Sequence, residues 1–178
     1  KTIFINSFIM VVICANTFCE IDKYKKYFDY FGGFELSTFQ KWAIKAIVDS
    51  EHILVTAHTG SGKTLPAEFA IQYFVSQGKK VIYTAPIKAL SNTKLYDLRN
   101  KYPHISFGII TGDVTDNPEA DVLIMTTEIL PNTIMNKKLR TNSGIDVKLD
   151  FEIDFENELA AVIFDEVHYI NDPERGNV

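Results

Sequence analysis

The stretch "GSGKT", residues 60–64, combines residue types that can bind phosphate groups. Glycines let the backbone curl so that successive N–H groups face an anion, and a helix that begins there adds the positive end of its dipole. Lys63 can then reach the β and γ phosphates of a nucleotide, and the Thr64 hydroxyl can ligate magnesium. The spacing therefore predicts a nucleotide-binding phosphate loop. The alternative is a glycine-rich turn that binds nothing.

The predicted loop begins three residues earlier, at Ala57. Glycine is usual at this position, so a strict pattern search would miss the loop. An apolar run before the loop and a helical pattern after it nevertheless support the assignment. We expect nucleotide contacts from all eight residues of the loop, namely Ala57, His58, Thr59, Gly60, Ser61, Gly62, Lys63 and Thr64.

A second group of chemically active residues ends the apolar stretch "AVIFDEVH", residues 161–168. An acid pair at the end of a buried strand can deliver one carboxylate to magnesium and the other to an attacking water. Asp165 is predicted to hold the metal through its water shell, and Glu166 to orient and deprotonate the nucleophile. The alternative is that the two acids simply form a solvated strand end. The presence of Lys63 and Thr64 elsewhere in the chain favours the catalytic interpretation.

The elements that must position these residues alternate between two patterns. Continuous apolar runs predict buried strands, and they are separated by stretches with helical periodicity, one of which begins at Ser37 as the N-cap. The predicted strands are "HILVTA", "KKVIYTAP", "ISFGIITG", "ADVLIMTT" and "AAVIFDE". This alternation predicts an α/β domain, with a mainly parallel β-sheet and helices on both faces. Ligands of such sheets bind at the carboxyl ends of the strands, where both chemical groups fall.

Composition limits the other classes of function. The chain has 178 residues, of which 46% are hydrophobic and 23% charged, so one globular domain is expected. Its net charge of −5 gives no overall positive field, and any contact with nucleic acid must be local. Cys14 and Cys19 neither form a disulfide framework nor complete a zinc site, so we expect reduced, packed thiols.

Two segments leave alternatives open. The opening twenty residues resemble a signal peptide, but the longest apolar stretch, Phe8 to Ala15, is too short to span a bilayer. We favour a buried strand or helix there, and no membrane partner. Within residues 136–158, which interrupt the pattern, "VKLDFEIDFE" alternates strictly and predicts a half-buried edge strand with an acidic outer face. That face is either a solvated edge or a docking strip for a partner.

Five stretches taken in order resemble the first RecA-like domain of the superfamily-two DExH helicases: "AHTGSGKT", "APIKALSNTK", "TGDVT", "TTEIL" and "DEVHYINDPERG". Two of them, "IKALSN" and "TTEIL", favour the RNA helicases of the Ski complex and the exosome over their DNA-repair relatives. The resemblance covers residues 34–178 and leaves 1–33 as an N-terminal segment of uncertain role. It implies a RecA-like P-loop fold, ATP and Mg2+ as cofactors, and ATP hydrolysis coupled to unwinding or translocation on single-stranded RNA.

The resemblance also implies roles for individual residues. Phe34 would stack on adenine and Gln40 would hydrogen-bond its edge; otherwise Phe34 is a core aromatic and Gln40 a surface residue. His168 would couple the nucleotide site to RNA, with a packed histidine as the alternative. Contacts to the RNA backbone are implied for Lys88, Ser91, Asn92, Thr111, Gly112 and Thr127.

Further partners follow from the resemblance. In such helicases a second RecA-like domain supplies arginines that stabilise the transferred phosphoryl group, and none of its motifs follows Val178. The chain is therefore predicted to be half of a motor that alone binds ATP weakly and hydrolyses it poorly. RNA-decay or RNA-processing proteins are expected partners, in the cytoplasm or nucleus. The rival predictions are a DNA translocase of the same superfamily and a nucleotide-gated scaffold without turnover.

Overall fold

The computed structural model describes residues 14–134, 153–154, 156–167 and 169. Its contacts divide the chain into two compact units, Lys1–Pro66 and Ala67–Val178. We call them the amino-terminal unit and the sheet unit, and each is described by itself.

The amino-terminal unit is built on two helices, α1 (Ile21–Phe28) and α2 (Thr38–Val48), with a short 3-10 helix at Asp29–Phe31 between them. Ser37 has extended backbone angles and begins α2 as its N-cap, as the sequence predicts. Gln40 completes a capping box with Ser37, which provides partners for amides that the first helical turn leaves unpaired. Helix α2 then buries Ala43 and Ile44 completely.

An aromatic cluster packs the residues before Ser37 against α2. The ring of Phe18 meets that of Trp42 edge-on, with centroids 4.9 Å apart. The Trp42 indole N–H donates to the Ala15 carbonyl at 3.0 Å. At the far end of α2, the buried Tyr24 hydroxyl donates to Asp49 at 2.7 Å. The described residues of the N-terminal segment therefore help to hold α2 in place.

The sheet unit contains a five-stranded sheet and the helices that cover it. Its strands are β1 (Lys80–Ala85), β2 (Phe107–Ile110), β3 (Thr115–Asp116), β4 (Val122–Thr126) and β5 (Leu159–Phe164), in the spatial order β3-β2-β4-β1-β5. All pairings are parallel except that of β3 with β2. Helices α3 (Thr64–Val75) and α4 (Lys88–Lys101) precede and follow β1, and residues 129–134 are helical.

The central strands are buried on both sides, which explains their continuous apolar sequence. In β4, Val122, Leu123, Ile124 and Met125 are completely inaccessible to solvent. Alternate strand residues contribute to two separate core clusters, one with residues of α3 and α4 and the other with Leu130 and Ile153. The prediction of a mainly parallel α/β sheet with helices on both faces is confirmed.

One predicted strand is wrong, and one strand was missed. Residues 52–57, "HILVTA", form no strand in the structure, and Leu54 is 73% exposed. A strand requires a hydrogen-bonded neighbour, and an apolar run does not specify one. Strand β3 escaped prediction because it has only two residues. It lies so close to β2 that a Cβ at Gly108 would come within 2.9 Å of the Asp116 carbonyl oxygen, and within 2.1 Å of that of Asn117, the next residue.

Other predictions have mixed outcomes. Cys14 and Cys19 are exposed rather than packed, whereas Phe18 between them is buried. The opening residues 1–13 and most of the acidic strand lie outside the described residues, although Ile153 is buried as the alternation predicts. In the described part of the chain, no helix has both the length and the apolar character needed to cross a bilayer.

Candidate active site

The phosphate loop, residues 57–64, lies in the amino-terminal unit and leads into α3. Gly60 and Gly62 have φ values of +81° and +84°, a region that glycine enters at little cost. The Ser61 amide donates to the His58 carbonyl at 3.2 Å, which closes the turn. The glycines predicted to let this backbone curl are therefore at the positions where it does.

The accessibility of the loop fits a phosphate ligand. Residues 58–60 are exposed, as is Thr64, whereas Lys63 is partly buried. The Ser61 hydroxyl oxygen is buried and has no hydrogen-bond partner among the described residues. Such a group is costly unless it is paired, and a phosphate oxygen would be a suitable acceptor. The loop residues therefore fit the nucleotide that the sequence predicts.

Gln40 connects helix α2 to the phosphate loop. Its side-chain oxygen accepts from the Ser37 amide at 2.9 Å, and its side-chain nitrogen donates to the Gly62 carbonyl at 3.1 Å. It is 3% exposed, so the alternative of a surface helix residue is wrong. An amide side chain has two N–H donors and two lone pairs, so these bonds leave capacity for a ligand. Its contact with adenine stays a prediction.

Phe34 occupies the opposite kind of environment. It follows a turn in which Gly32 and Gly33 both have positive φ, and its amide donates to the Phe31 carbonyl at 3.1 Å. The side chain is 63% exposed, so the alternative of a core aromatic is wrong. An exposed ring of this kind is suited to stacking on a base, a role that remains a prediction.

The acid pair lies in the sheet unit, directly after β5. The Asp165 amide donates to the Thr84 carbonyl at 3.0 Å, which continues the pairing of β5 with β1. One Asp165 carboxylate oxygen, Oδ1, accepts the Glu166 amide at 3.0 Å. The other, Oδ2, accepts the Tyr83 hydroxyl and lies 3.8 Å from Lys94 Nζ. The carboxylate is therefore held on both oxygens.

Tyr83 and Glu166 are both in unusual environments. Burial raises the pKa of the Tyr83 phenol well above its ordinary value, and its hydrogen bond to Asp165 raises it further, so the hydroxyl stays a donor. Glu166 has φ +52°, in the left-handed region. For a residue with a side chain this geometry costs about 1–3 kcal/mol, and it is commonest at functional sites.

A cavity of about 440 Å³ opens beside the acid pair, at the carboxyl ends of β1, β4 and β5. Its lining includes Asp165 and Glu166 from the predicted catalytic group, and Lys88 and Thr127 from the predicted RNA-binding group. These four residues come together at the edge of the sheet where the sequence predicts that the chemistry is located.

Two of the predicted RNA contacts, Lys88 and Thr111, both bind the carboxylate of Asp113. Lys88 Nζ lies 2.8 Å from Asp113, and the Thr111 hydroxyl donates to the same carboxylate at 2.8 Å. These two contacts lower the pKa of Asp113 below its ordinary value. Asn92 and Gly112 are exposed.

Ser91 does not present its hydroxyl to solvent. It is completely buried, and the hydroxyl donates at 3.3 Å to the carbonyl of Ile87, the N-cap of α4. A direct contact between this hydroxyl and RNA is therefore not supported. His168 lies outside the described residues, so its coupling role is not tested.

Sequence reasoning missed Tyr83, Lys94 and Thr126. Tyr83 stands in an apolar strand and Lys94 in a polar helix, so neither differs from the pattern around it. Thr126 ends β4 with a buried hydroxyl that has no hydrogen-bond partner in the described ranges. A polar residue at the carboxyl end of a buried strand was the available signal for Thr126.

The donor set fits magnesium only if a nucleotide shares it. Within the described ranges, no group of three or more His, Cys, Asp or Glu side chains could hold a metal. Magnesium is usually bound through one or two carboxylates together with substrate phosphates and water. Asp165, whose side chain is 35% exposed, is a suitable carboxylate of this kind.

A family model described as DEAD/DEAH box helicase matches residues 37–178. The chain belongs to this family. The match contains both the phosphate loop and the acid pair, and membership implies nucleotide binding. The matched region begins at Ser37, the N-cap of α2, so the aromatic cluster around Phe18 lies partly outside the match.

Individual relatives agree with the branch that the motifs predict. Antiviral helicase SKI2 of Saccharomyces cerevisiae is 46% identical over 145 residues, which is 82% of this chain and 10% of the relative. Superkiller complex protein 2 of Homo sapiens is 48% identical over 82% of this chain and 10% of its own length. Exosome RNA helicase MTR4 of Homo sapiens is 42% identical over 82% of this chain and 12% of its own length. The chain thus spans about a tenth of the length of these curated relatives.

Proposed function

We propose that this chain is the ATP-binding domain of an ATP-dependent RNA helicase, which couples ATP hydrolysis to unwinding or translocation on RNA. The main support is an acid pair held at the carboxyl end of β5 in a DEAD/DEAH box chain that also contains a phosphate loop with left-handed glycines. The names of the relatives favour RNA over DNA as the substrate.

The proposed chemistry divides among four side chains. Lys63 binds the β and γ phosphates, and the Thr64 hydroxyl and the Asp165 carboxylate hold magnesium. Magnesium, when bound, neutralises charge on the phosphate oxygens. Glu166 orients the attacking water and accepts its proton. The backbone amides of the phosphate loop stabilise the anionic phosphates through the dipole at the start of α3.

Substrate binding is proposed at two further places. Phe34 stacks on adenine while Gln40 hydrogen-bonds its edge. The RNA backbone is bound by Lys88, Asn92, Thr111, Gly112 and Thr127, and His168 couples nucleotide to RNA. A second RecA-like domain supplies the arginines that complete hydrolysis. We propose RNA-decay or RNA-processing proteins as partners, and an intracellular location.

The test is phosphate release by the full-length protein with ATP and magnesium. We expect single-stranded RNA to stimulate release more strongly than single-stranded DNA of the same sequence and length. Stronger stimulation by DNA would favour a DNA translocase instead. The absence of phosphate release in the presence of either nucleic acid would contradict the enzymatic proposal and favour a nucleotide-gated scaffold.

A further inference from the structure

Tyr83 places a hydroxyl group in the core of the sheet unit. The residue is 1% exposed, and its ring belongs to the core cluster that contains Val81 and Ile124. A phenylalanine ring would fill the same space. The hydroxyl of Tyr83 donates to Asp165 Oδ2, so the feature that distinguishes tyrosine from phenylalanine here is a bond to the acid pair.

Lys94 approaches the same carboxylate oxygen from α4. Its Nζ lies 3.8 Å from Asp165 Oδ2 and 5.5 Å from the centroid of the Tyr83 ring, and its side chain is 22% exposed. The second oxygen accepts the Glu166 amide, and the backbone of Asp165 is paired with Thr84. The orientation of the carboxylate is thus determined by donors on both oxygens and by the strand itself.

We propose that Tyr83 is a positioning residue for the magnesium-nucleotide complex: its hydroxyl, together with Lys94, holds the Asp165 carboxylate in the orientation that serves the metal. This inference rests on the proposed function. A carboxylate without these partners has to lose more rotational freedom when it binds its ligand. Removal of an outer partner of a metal ligand typically lowers metal affinity by about 10–100-fold. Because Asp165 is proposed to act through the metal's water shell, we expect the lower end of this range.

The test compares Tyr83→Phe with Tyr96→Phe in the full-length protein. Tyr96 is a 70% exposed tyrosine on α4, so its variant controls for loss of a hydroxyl. Binding of a fluorescent ATP analogue is titrated with magnesium and repeated in EDTA. We expect Tyr83→Phe to need about tenfold more magnesium for half-maximal binding, with unchanged binding in EDTA. Thermal unfolding monitored by circular dichroism checks that the variant, which keeps the core ring, is folded.

A second variant separates positioning from a general structural effect. In an Asp165→Ala background, which removes the acceptor of the Tyr83 hydroxyl, Tyr83→Phe should cause no further rise in the magnesium requirement, because the hydroxyl acts only through the carboxylate. An unchanged magnesium requirement in folded Tyr83→Phe would overturn the inference, as would an equal rise in both backgrounds. If the wild-type protein bound no nucleotide with magnesium, the proposed function would fail and the inference with it.

Discussion

In the phosphate loop, two glycines adopt left-handed backbone angles, and the side chain of Gln40 donates to the Gly62 carbonyl. In the acid pair, Asp165 is held by a strand neighbour, by the next amide and by side chains from β1 and α4. The loop thus depends mainly on the backbone conformation of its glycines, with one side chain from α2, whereas the acid pair depends mainly on residues far away in sequence.

This difference decides which substitutions should be harmful in each region. The loop is sensitive to a side chain added at Gly60 or Gly62, because its shape needs φ values there that only glycine adopts readily. The acid pair is sensitive to loss of polar atoms on neighbouring elements, because those atoms orient it. Substitutions in both regions test the comparison.

Among the substitutions that alter binding or stability, the largest effect is expected from Gly62→Ala. A Cβ at this position would lie 2.6 Å from Gln40 Nε2, on a backbone with φ +84°. The strain costs about 1–2 kcal/mol, and displacement of Gln40 adds about 1 kcal/mol. The loop should relax away from its binding conformation and lower ATP affinity by roughly tenfold or more, as measured with a fluorescent nucleotide.

Gly78→Ala is the control for this prediction. Gly78 also has a positive φ, +71°, but nothing lies within 4 Å of an added Cβ, and it belongs to no proposed site. It should cost stability without weakening nucleotide binding to the same degree. Equal losses of affinity in the two variants would show that backbone strain, and not contact with Gln40, is responsible.

Gln40→Ala should have an intermediate effect. The substitution removes the bonds to the Ser37 amide and the Gly62 carbonyl, and an unpaired buried group costs about 1–3 kcal/mol. We expect a lower unfolding temperature and weaker ATP binding. Gln77→Ala serves as the control, because the side chain of this exposed glutamine donates to the Tyr73 carbonyl, four residues earlier in the chain. Wild-type ATP binding in Gln40→Ala would show that the loop does not need this connection.

The smallest effect concerns acid stability in the amino-terminal unit. Hydrogen bonds from Lys45 and then Tyr24 lower the pKa of Asp49 below its usual 3.8. A carboxyl group with a lowered folded-state pKa stabilises the fold above its unfolded pKa, and this stabilisation is lost as pH falls through the folded value. Asp49→Asn should therefore unfold with a weaker pH dependence than wild type below about pH 4. The measurement is the fall in unfolding temperature between pH 6 and pH 3. An equal fall in Asp49→Asn and in wild type would argue against the contribution of Asp49.

The sequence predicted those features that depend on local pattern. Apolar runs identified β1, β2, β4 and β5, and the Ser37 cap marked the start of α2. The phosphate loop was recognised because its glycines, lysine and threonine are adjacent in the chain. The carboxyl ends of parallel strands then indicated where the acid pair lies.

Features that depend on distant contacts were not predicted. Residues 52–57 have the composition of a buried strand, but pairing with a neighbour is a property of the whole sheet. For Gln40 the sequence left a surface position open as the alternative to an adenine contact, because its bond to Gly62 joins residues 22 positions apart. Tyr83 and Asp165 are 82 positions apart, and an inward-facing tyrosine in an apolar strand resembles an ordinary core residue.

The most direct test of the central claim, RNA-stimulated ATP hydrolysis with Glu166 as the base, is the ATP turnover of Glu166→Gln in the full-length protein. Glu156→Gln, which alters an exposed acid in the same unit, is the control. We predict that Glu166→Gln loses turnover by at least about a hundredfold, as for a general base, while ATP and RNA binding persist. RNA-stimulated turnover equal to that of the control variant would contradict the account.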